Sequence, residues 1–96
     1  WIIADEIYEK LVFDDFKFVS FASLSPKIKQ KTIVINGVSK AFAMTGWRLG
    51  YAAGAEEIIS AANKIQSHST SNASTISQYA ALEALTGPRF EINRMV

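Results

Sequence analysis

Hydrophobic residues along this chain fall into short unbroken runs and two spaced stripes. The run at residues 1–4, Trp1-Ile2-Ile3-Ala4, is continuous and predicts a buried strand. Thr32-Ile33-Val34-Ile35, rich in β-branched side chains, predicts a second over residues 32–36. Residues 47–53 predict a third that ends at Gly54, and Leu11-Val12-Phe13 a shorter one closed by a turn at Asp14-Asp15. Ile58, Ile59, Ala62 and Ile65 recur at helical spacing within residues 56–66, and Glu56 and Glu57 stand in the first turn, where they favour the helix dipole. A second helix starts at Ser74 or Thr75 as its cap, carries Ile76, Tyr79, Ala80, Leu82 and Leu85 on its inner side, and ends at Gly87-Pro88. Residues 90–96 begin a further helix.

The remaining segments are polar or irregular. Ser25-Pro26 breaks the chain, and Lys27, Lys29, Gln30 and Lys31 make a solvated surface run. Phe16, Phe18 and Phe21 crowd an irregular stretch; without a basic stripe beside them, packing is their expected role rather than stacking on nucleic-acid bases. Residues 67–74 are Ser, His, Thr, Asn and Ala, a composition that a flexible linker shares.

Composition narrows the function classes. Ninety-six residues make at most one small domain, and 49% hydrophobic content suffices for a core. The net charge is +1 with basic residues spread out, so no nucleic-acid face and no membrane patch is expected. Cysteine is absent, which removes disulfides and thiolate metal sites, and no metal site is expected. No apolar run approaches the roughly 20 residues of a membrane helix. Trp1-Ile2-Ile3-Ala4 runs at once into Asp5-Glu6, unlike a secretion leader. The chain opens inside a strand and stops at Arg94-Met95-Val96, so the expectation is a single partial domain over residues 1–96, cut at both ends.

One lysine then changes the picture. Lys40 follows the strand at residues 32–36, flanked by the small residues Gly37, Ser39 and Ala41, and Arg48 comes eight positions later between Gly46-Trp47 and Leu49-Gly50. Lysine is usually solvated, so a surface residue is the plain alternative. The small neighbours would let a bulky ligand approach the backbone, and a guanidinium presents a fork of donors suited to phosphate. Asp5 and Tyr8 form a second polar cluster after an earlier apolar strand. For Asp5 the alternative is a helix N-cap, and for Tyr8 a core aromatic.

Ser39-Lys40-Ala41-Phe42-Ala43-Met44-Thr45-Gly46-Trp47-Arg48-Leu49-Gly50-Tyr51 resembles the pyridoxal-phosphate lysine signature of class I and II aminotransferases, and Asp5-Glu6-Ile7-Tyr8 resembles the cofactor-ring motif of the same family. The likeness spans nearly the whole chain and is greatest to bacterial aspartate aminotransferases. It implies an α/β fold: part of the mixed, mostly parallel sheet of a cofactor-binding large domain with helices packed on it, with residues 1–4 parallel to 32–36 and residues 47–53 the antiparallel member. It implies an ordered crossing at residues 67–74. The cofactor implied is pyridoxal 5′-phosphate and the substrates are an amino acid and a 2-oxo acid, aspartate and 2-oxoglutarate first. Lys40 would form the Schiff base with the cofactor and then serve as the proton-transfer base. Asp5 would pair with the protonated ring nitrogen, Tyr8 would meet the ring's phenolic oxygen, and Arg48 and Ser39 would hold the phosphate. Some family members carry another phosphate-binding serine three residues before the lysine; here that position is Gly37. Trp47 is taken to pack behind the site. His68, the single histidine, is expected to be a surface or hydrogen-bonding residue and not a base.

The same resemblance implies a cytoplasmic homodimer at full length. It leaves the substrate-carboxylate arginine and the glycine-rich phosphate loop outside these residues, so the chain alone is expected to be inactive. Two other readings share the motifs: another fold-type I enzyme, such as a C–S β-lyase or an aminocyclopropane-carboxylate synthase, and a non-catalytic regulatory domain.

Overall fold

The structure, a computed structural model, describes residues 1–95. Three strands form its sheet: β1 (Ile2–Asp5), β2 (Thr32–Gly37) and β3 (Gly50–Ala53), in the order β1-β2-β3. β1 runs parallel to β2, with Ile2 opposite Thr32 and Asp5 opposite Ile35. β3 runs antiparallel to β2, with Val34 opposite Ala53 and Gly37 opposite Gly50. The expected mixed sheet is therefore present. Side chains alternate between its faces as the pleat demands. On one face Thr32 and Asn36 are buried and Ile2 and Ala4 half-buried; on the other Ile3 is 73% exposed.

The crossover from β1 to β2 carries a 3-10 turn (Phe21–Ser23) and a one-turn helix α1 (Pro26–Lys29). Ser25-Pro26 is more than a break in the chain. Ser25 accepts from the Ile28 amide at 3.2 Å and Pro26 fills the first helical position, a start signal for α1. Thr32 then donates its hydroxyl to the Ile28 carbonyl at 2.8 Å, fastening α1 to β2.

Several expectations need correcting. Residues 11–13 form no strand: the Leu11 amide is committed to the Tyr8 carbonyl at 2.9 Å, and no strand pairs with them among the described residues. β3 begins at Gly50 and not at residue 47, because Thr45–Trp47 is a 3-10 turn and Arg48 takes a left-handed conformation (φ 53°, ψ 49°) that an extended strand cannot contain. Helix α2 (Glu56–Ser69) continues past residue 66 and takes in Ser67 and His68. The Ser67 hydroxyl bonds back to the Lys64 carbonyl at 2.8 Å, so serine there need not interrupt the helix. Phe16, Phe18 and Phe21 do not pack inside; Phe16 is 72% exposed.

The helical stripes are also displaced. In α2, Ile58 and Ile59 are half-buried, whereas Ala62 and Ile65 face water. In α3 (Thr75–Thr86) the buried residues are the small Ser77 and Ala81, while Ile76 and Tyr79 are each 73% exposed. Ser74 precedes α3, but its hydroxyl caps nothing. Helix α4 (Phe90–Met95) follows Gly87-Pro88 and places Ile92 inside; of the helix expected over residues 90–96, Val96 lies outside the described residues. No helix among the described residues is long and apolar enough to cross a membrane.

The accessible surface is 7347 Å², where a compact chain of this mass would expose about 5,500 Å². The radius of gyration is 14.6 Å, against about 12.5 Å for a compact chain of this length.

Candidate functional site

The register brings three chain segments to one end of the sheet. Parallel pairing sets the carboxyl ends of β1 and β2 side by side, and antiparallel pairing sets the amino end of β3 beside them. Asp5 closes β1, Lys40 follows β2 by three residues, and Arg48 precedes β3 by two. The carboxyl end of parallel strands is where open α/β sheets hold ligands.

The stretch from Gly37 to Gly50 is wound tightly on itself. Val38 is completely buried and Ala41 nearly so, at 3% exposure. These two apolar anchors bracket Ser39 and Lys40, which are left half-buried. The Phe42 amide donates to the Val38 carbonyl at 3.2 Å, Ala43 to Lys40 at 3.3 Å, Met44 to Ser39 at 3.1 Å and Trp47 to Met44 at 3.2 Å. Ala43 and Arg48 both adopt positive φ, 52° and 53°, at a cost of roughly 1–2 kcal/mol each for a residue with a Cβ. The Arg48 Nη1 bends back to donate to the Thr45 carbonyl at 2.9 Å.

Of the residues singled out in the sequence, Lys40 and Tyr8 meet directly. The Lys40 ammonium lies 5.5 Å from the centroid of the Tyr8 ring, within cation–π range. Tyr8 is 59% exposed, which removes the core-aromatic alternative. Asp5 is exposed, and its Oδ1 accepts from the Ile7 amide at 3.2 Å, shaping the turn after β1 rather than capping a helix. Neither Asp5 nor Arg48 forms an ion pair with another described residue. Ser39 sits beside Lys40 by chain position, its carbonyl engaged by Met44. Trp47 is 43% exposed. His68 sits exposed in the last turn of α2.

Two further residues shape the site. Gly37 is a buried member of β2, and a Cβ there would stand 3.0 Å from the Leu49 carbonyl oxygen and 3.1 Å from both the Gly50 Cα and the Ile7 Cδ1. A serine side chain does not fit without movement, which accounts for glycine at this position. Ile7 thereby packs onto the sheet end and carries its neighbour Tyr8 with it. The second residue is Glu6, only 8% exposed, whose Oε1 accepts from the Ser20 hydroxyl and the Phe21 amide, each at 2.9 Å. Its signal was present in the alternation of Ile2, Ala4 and Glu6 on one face.

A cleft of about 1090 Å³ reaches from the sheet end at Leu49 and Gly50 between β3, α2 and the start of α3, and includes Asn36, Tyr51, Ile59 and Gln66 in its walls. Burial first, and then the nearby Glu9 carboxylate, push the Tyr51 phenol above its ordinary value of 10.0.

Comparison with known proteins covers the whole chain. The model of the family "Aminotransferase class I and II" matches residues 1–96. The aspartate/prephenate aminotransferase of Cereibacter sphaeroides is 58% identical over 89 residues, 93% of this chain and 22% of that protein. The aspartate aminotransferase of Geobacillus stearothermophilus is 54% identical over 94 residues, 98% of this chain and 24% of that protein. The crystal structure of the aspartate aminotransferase from Rhizobium meliloti superposes with a TM-score of 0.94 at 49% identity, over 98% of this chain and 24% of that one. The aromatic aminotransferase from Pyrococcus horikoshii superposes with a TM-score of 0.90 at 42% identity, over 97% and 25%. The chain thus spans about a quarter of the length of the curated relatives it matches.

Proposed function

The chain belongs to the class I and II aminotransferases, and on that premise we propose that it carries the lysine end of a pyridoxal-phosphate site for amino-group transfer between aspartate and 2-oxoglutarate. The observation that supports this most is the half-buried Lys40 amine set over the Tyr8 ring, at the sheet end where Asp5, Ser39 and Arg48 also stand.

The donor set fits the cofactor group by group. A primary amine suits its aldehyde, a carboxylate its ring nitrogen, a phenol its ring oxygen, and a guanidinium with a hydroxyl its phosphate. Pyridoxal phosphate, when bound, supplies an aldehyde carbon and a ring that withdraws electrons. Lys40 Nζ is the group that would hold the aldehyde carbon, and once freed by a substrate amine it would be placed to take a proton from the amino acid's α-carbon. The Asp5 carboxylate keeps the ring nitrogen protonated by opposing its charge. Arg48 and Ser39 bind the phosphate, and the Tyr8 hydroxyl orients the ring. For Arg48 this requires its guanidinium to exchange the Thr45 carbonyl for phosphate, a stronger, charge-assisted partner.

Aspartate as donor is supported by the names of the relatives from Cereibacter and Geobacillus. A cytoplasmic homodimer at full length, and inactivity of residues 1–96 alone, follow from the motif resemblance. The test is to load the full-length protein with pyridoxal phosphate, reduce it with borohydride and map the adduct by mass spectrometry. A pyridoxyl group on Lys40 is expected. A label on other lysines, or none, overturns the reading. Product analysis with aspartate against cystathionine separates transamination from β-lyase chemistry.

A further inference from the structure

We propose that Glu6 is a positioning residue for this site: its carboxylate closes the neck of the loop at residues 7–20 and so fixes where Asp5 and Tyr8 stand relative to Lys40. The proposal rests on the preceding reading for what Asp5 and Tyr8 do; the clamp itself rests on geometry.

Glu6 is 8% exposed, and no ion pair with it exists among the described residues. A carboxylate turned inward without a cation is costly. Two fixed donors offset that cost: the Ser20 hydroxyl and the Phe21 amide both reach Oε1 at 2.9 Å, from positions 14 and 15 residues away. Charge-assisted bonds of this kind are the strong ones.

The loop that these bonds close has little else to hold it. Phe13, Phe16 and Val19 are 68%, 72% and 60% exposed, so it has no apolar core of its own. Among the described residues, no backbone hydrogen bond from residues 12–19 leaves the loop; the Phe16 amide reaches only the Phe13 carbonyl, at 3.4 Å.

Glu6 also grips with its backbone. Its amide donates to the Ile35 carbonyl at 2.9 Å, carrying the β1–β2 ladder one residue past Asp5, and its carbonyl accepts from Glu9 at 3.0 Å, bracketing Tyr8 in a turn. Asp5 and Glu6 point to opposite faces of the strand. Fixing Glu6 on the inner face therefore aims Asp5 outward, and fixing the turn keeps Tyr8 over Lys40.

The test uses the full-length protein and three variants. Glu6→Ala removes the acceptor, Glu6→Gln keeps an amide oxygen in its place, and Ser20→Ala removes one donor. Hydrogen exchange on the cofactor-free protein should be about tenfold faster or more at the hydrogen-bonded amides of Glu9, Leu11 and Phe21 in Glu6→Ala, with β2 and β3 unchanged. With pyridoxal phosphate bound, the pH midpoint of the visible band should move and kcat should fall about tenfold while KM stays within about twofold. Glu6→Gln should restore most of each, and Ser20→Ala should lie between. Normal exchange and an unmoved midpoint in Glu6→Ala overturn the proposal, as does a Glu6→Gln protein no better than Glu6→Ala. Should Glu6→Ala fail to fold, normal exchange in Ser20→Ala overturns it instead. If the wild type shows no Lys40-bound band at all, the aminotransferase reading fails, and the exchange measurement still judges the clamp.

Discussion

The sheet end and the helical pair α2–α3 bury opposite kinds of residue. At the sheet end the inside is filled by what a core wants: Val38 at 0% exposure and Ala41 at 3%. In the helices the large apolar side chains face out. Ile65, Ile76 and Tyr79 are each 73% exposed, while the small Ser77 and Ala81 face in. The difference is one of available partners. β2 is paired on both sides among the described residues, and the loop from Gly37 to Gly50 closes on that pairing. The outer faces of α2 and α3 find nothing of their size to cover them. The site's scaffold is thus local, whereas helix packing depends on surface the chain does not itself provide.

The largest expected effect breaks the comparison at its functional end. Lys40→Ala at full length should lower transamination by about four orders of magnitude or more, because the same nitrogen serves as nucleophile and base. Its stability should change by no more than about 1 kcal/mol, since Val38 and Ala41 carry the packing of that loop. Steady-state kinetics beside a denaturant titration checks both halves. An equal loss of stability would show that Lys40 is part of the core and not a group displayed by it.

Next in size is Gly37→Ser. The added Cβ meets the Leu49 carbonyl oxygen at 3.0 Å, a backbone atom that cannot swing away. A destabilisation of about 1–3 kcal/mol is expected from the overpacking, measured as a lower urea midpoint with unchanged slope. A neutral result would mean that β2 and β3 separate easily at the site, and the contrast with the helices would weaken.

What the sequence disclosed follows the same division. The β-branched run at Thr32-Ile33-Val34-Ile35 and the apolar Ile2-Ile3-Ala4 marked β2 and β1, because pairing is written in local composition. Asp5, Tyr8, Ser39, Lys40 and Arg48 were singled out with the help of a family resemblance, and strand register sets the segments that carry them at one end of the sheet. The turn at Thr45–Trp47 and the left-handed Arg48 were not legible, since specific backbone bonds fix them and no periodicity records such bonds. Glu6 was passed over as part of a motif, although its place in the alternation with Ile2 and Ala4 pointed inward. The helix face that is buried among the described residues is not the obvious apolar stripe of Ile76, Tyr79 and Leu82 but the one with the small Ser77 and Ala81, which allow close approach. Hydrophobic pattern says that a face wants cover; it does not say which segment supplies it.

Paired substitutions on α3 sharpen that point. Ile76→Ser with Tyr79→Ser should change the stability of the 96-residue chain by no more than about 0.5 kcal/mol, as exposed sites do. At full length the same pair should cost about 2–4 kcal/mol if the additional chain covers this face. Equal small effects in both lengths would show that the outer face of α3 stays in water.

The smallest effect lies on the boundary between the regions. Tyr51 pairs with Asn36 across β2–β3 and borders the cleft beside α2. Burial raises the ionisation of its phenol above 10.0, and the Glu9 carboxylate raises it further. A group whose proton is held more tightly in the folded state than in the unfolded chain stabilises the fold below the unfolded value, and that contribution disappears as pH rises through the folded value. Stability should therefore fall slightly above pH 10, and Tyr51→Phe should flatten that part of the profile. Glu9→Gln should recover only the lesser share of the shift, because burial is the larger cause. Alkaline difference spectra of the phenolate, with Tyr51→Phe as reference, report it directly. An ionisation at or below the ordinary tyrosine value would mean that the Tyr51 phenol is not held out of water, and that the tight sheet end stops short of it.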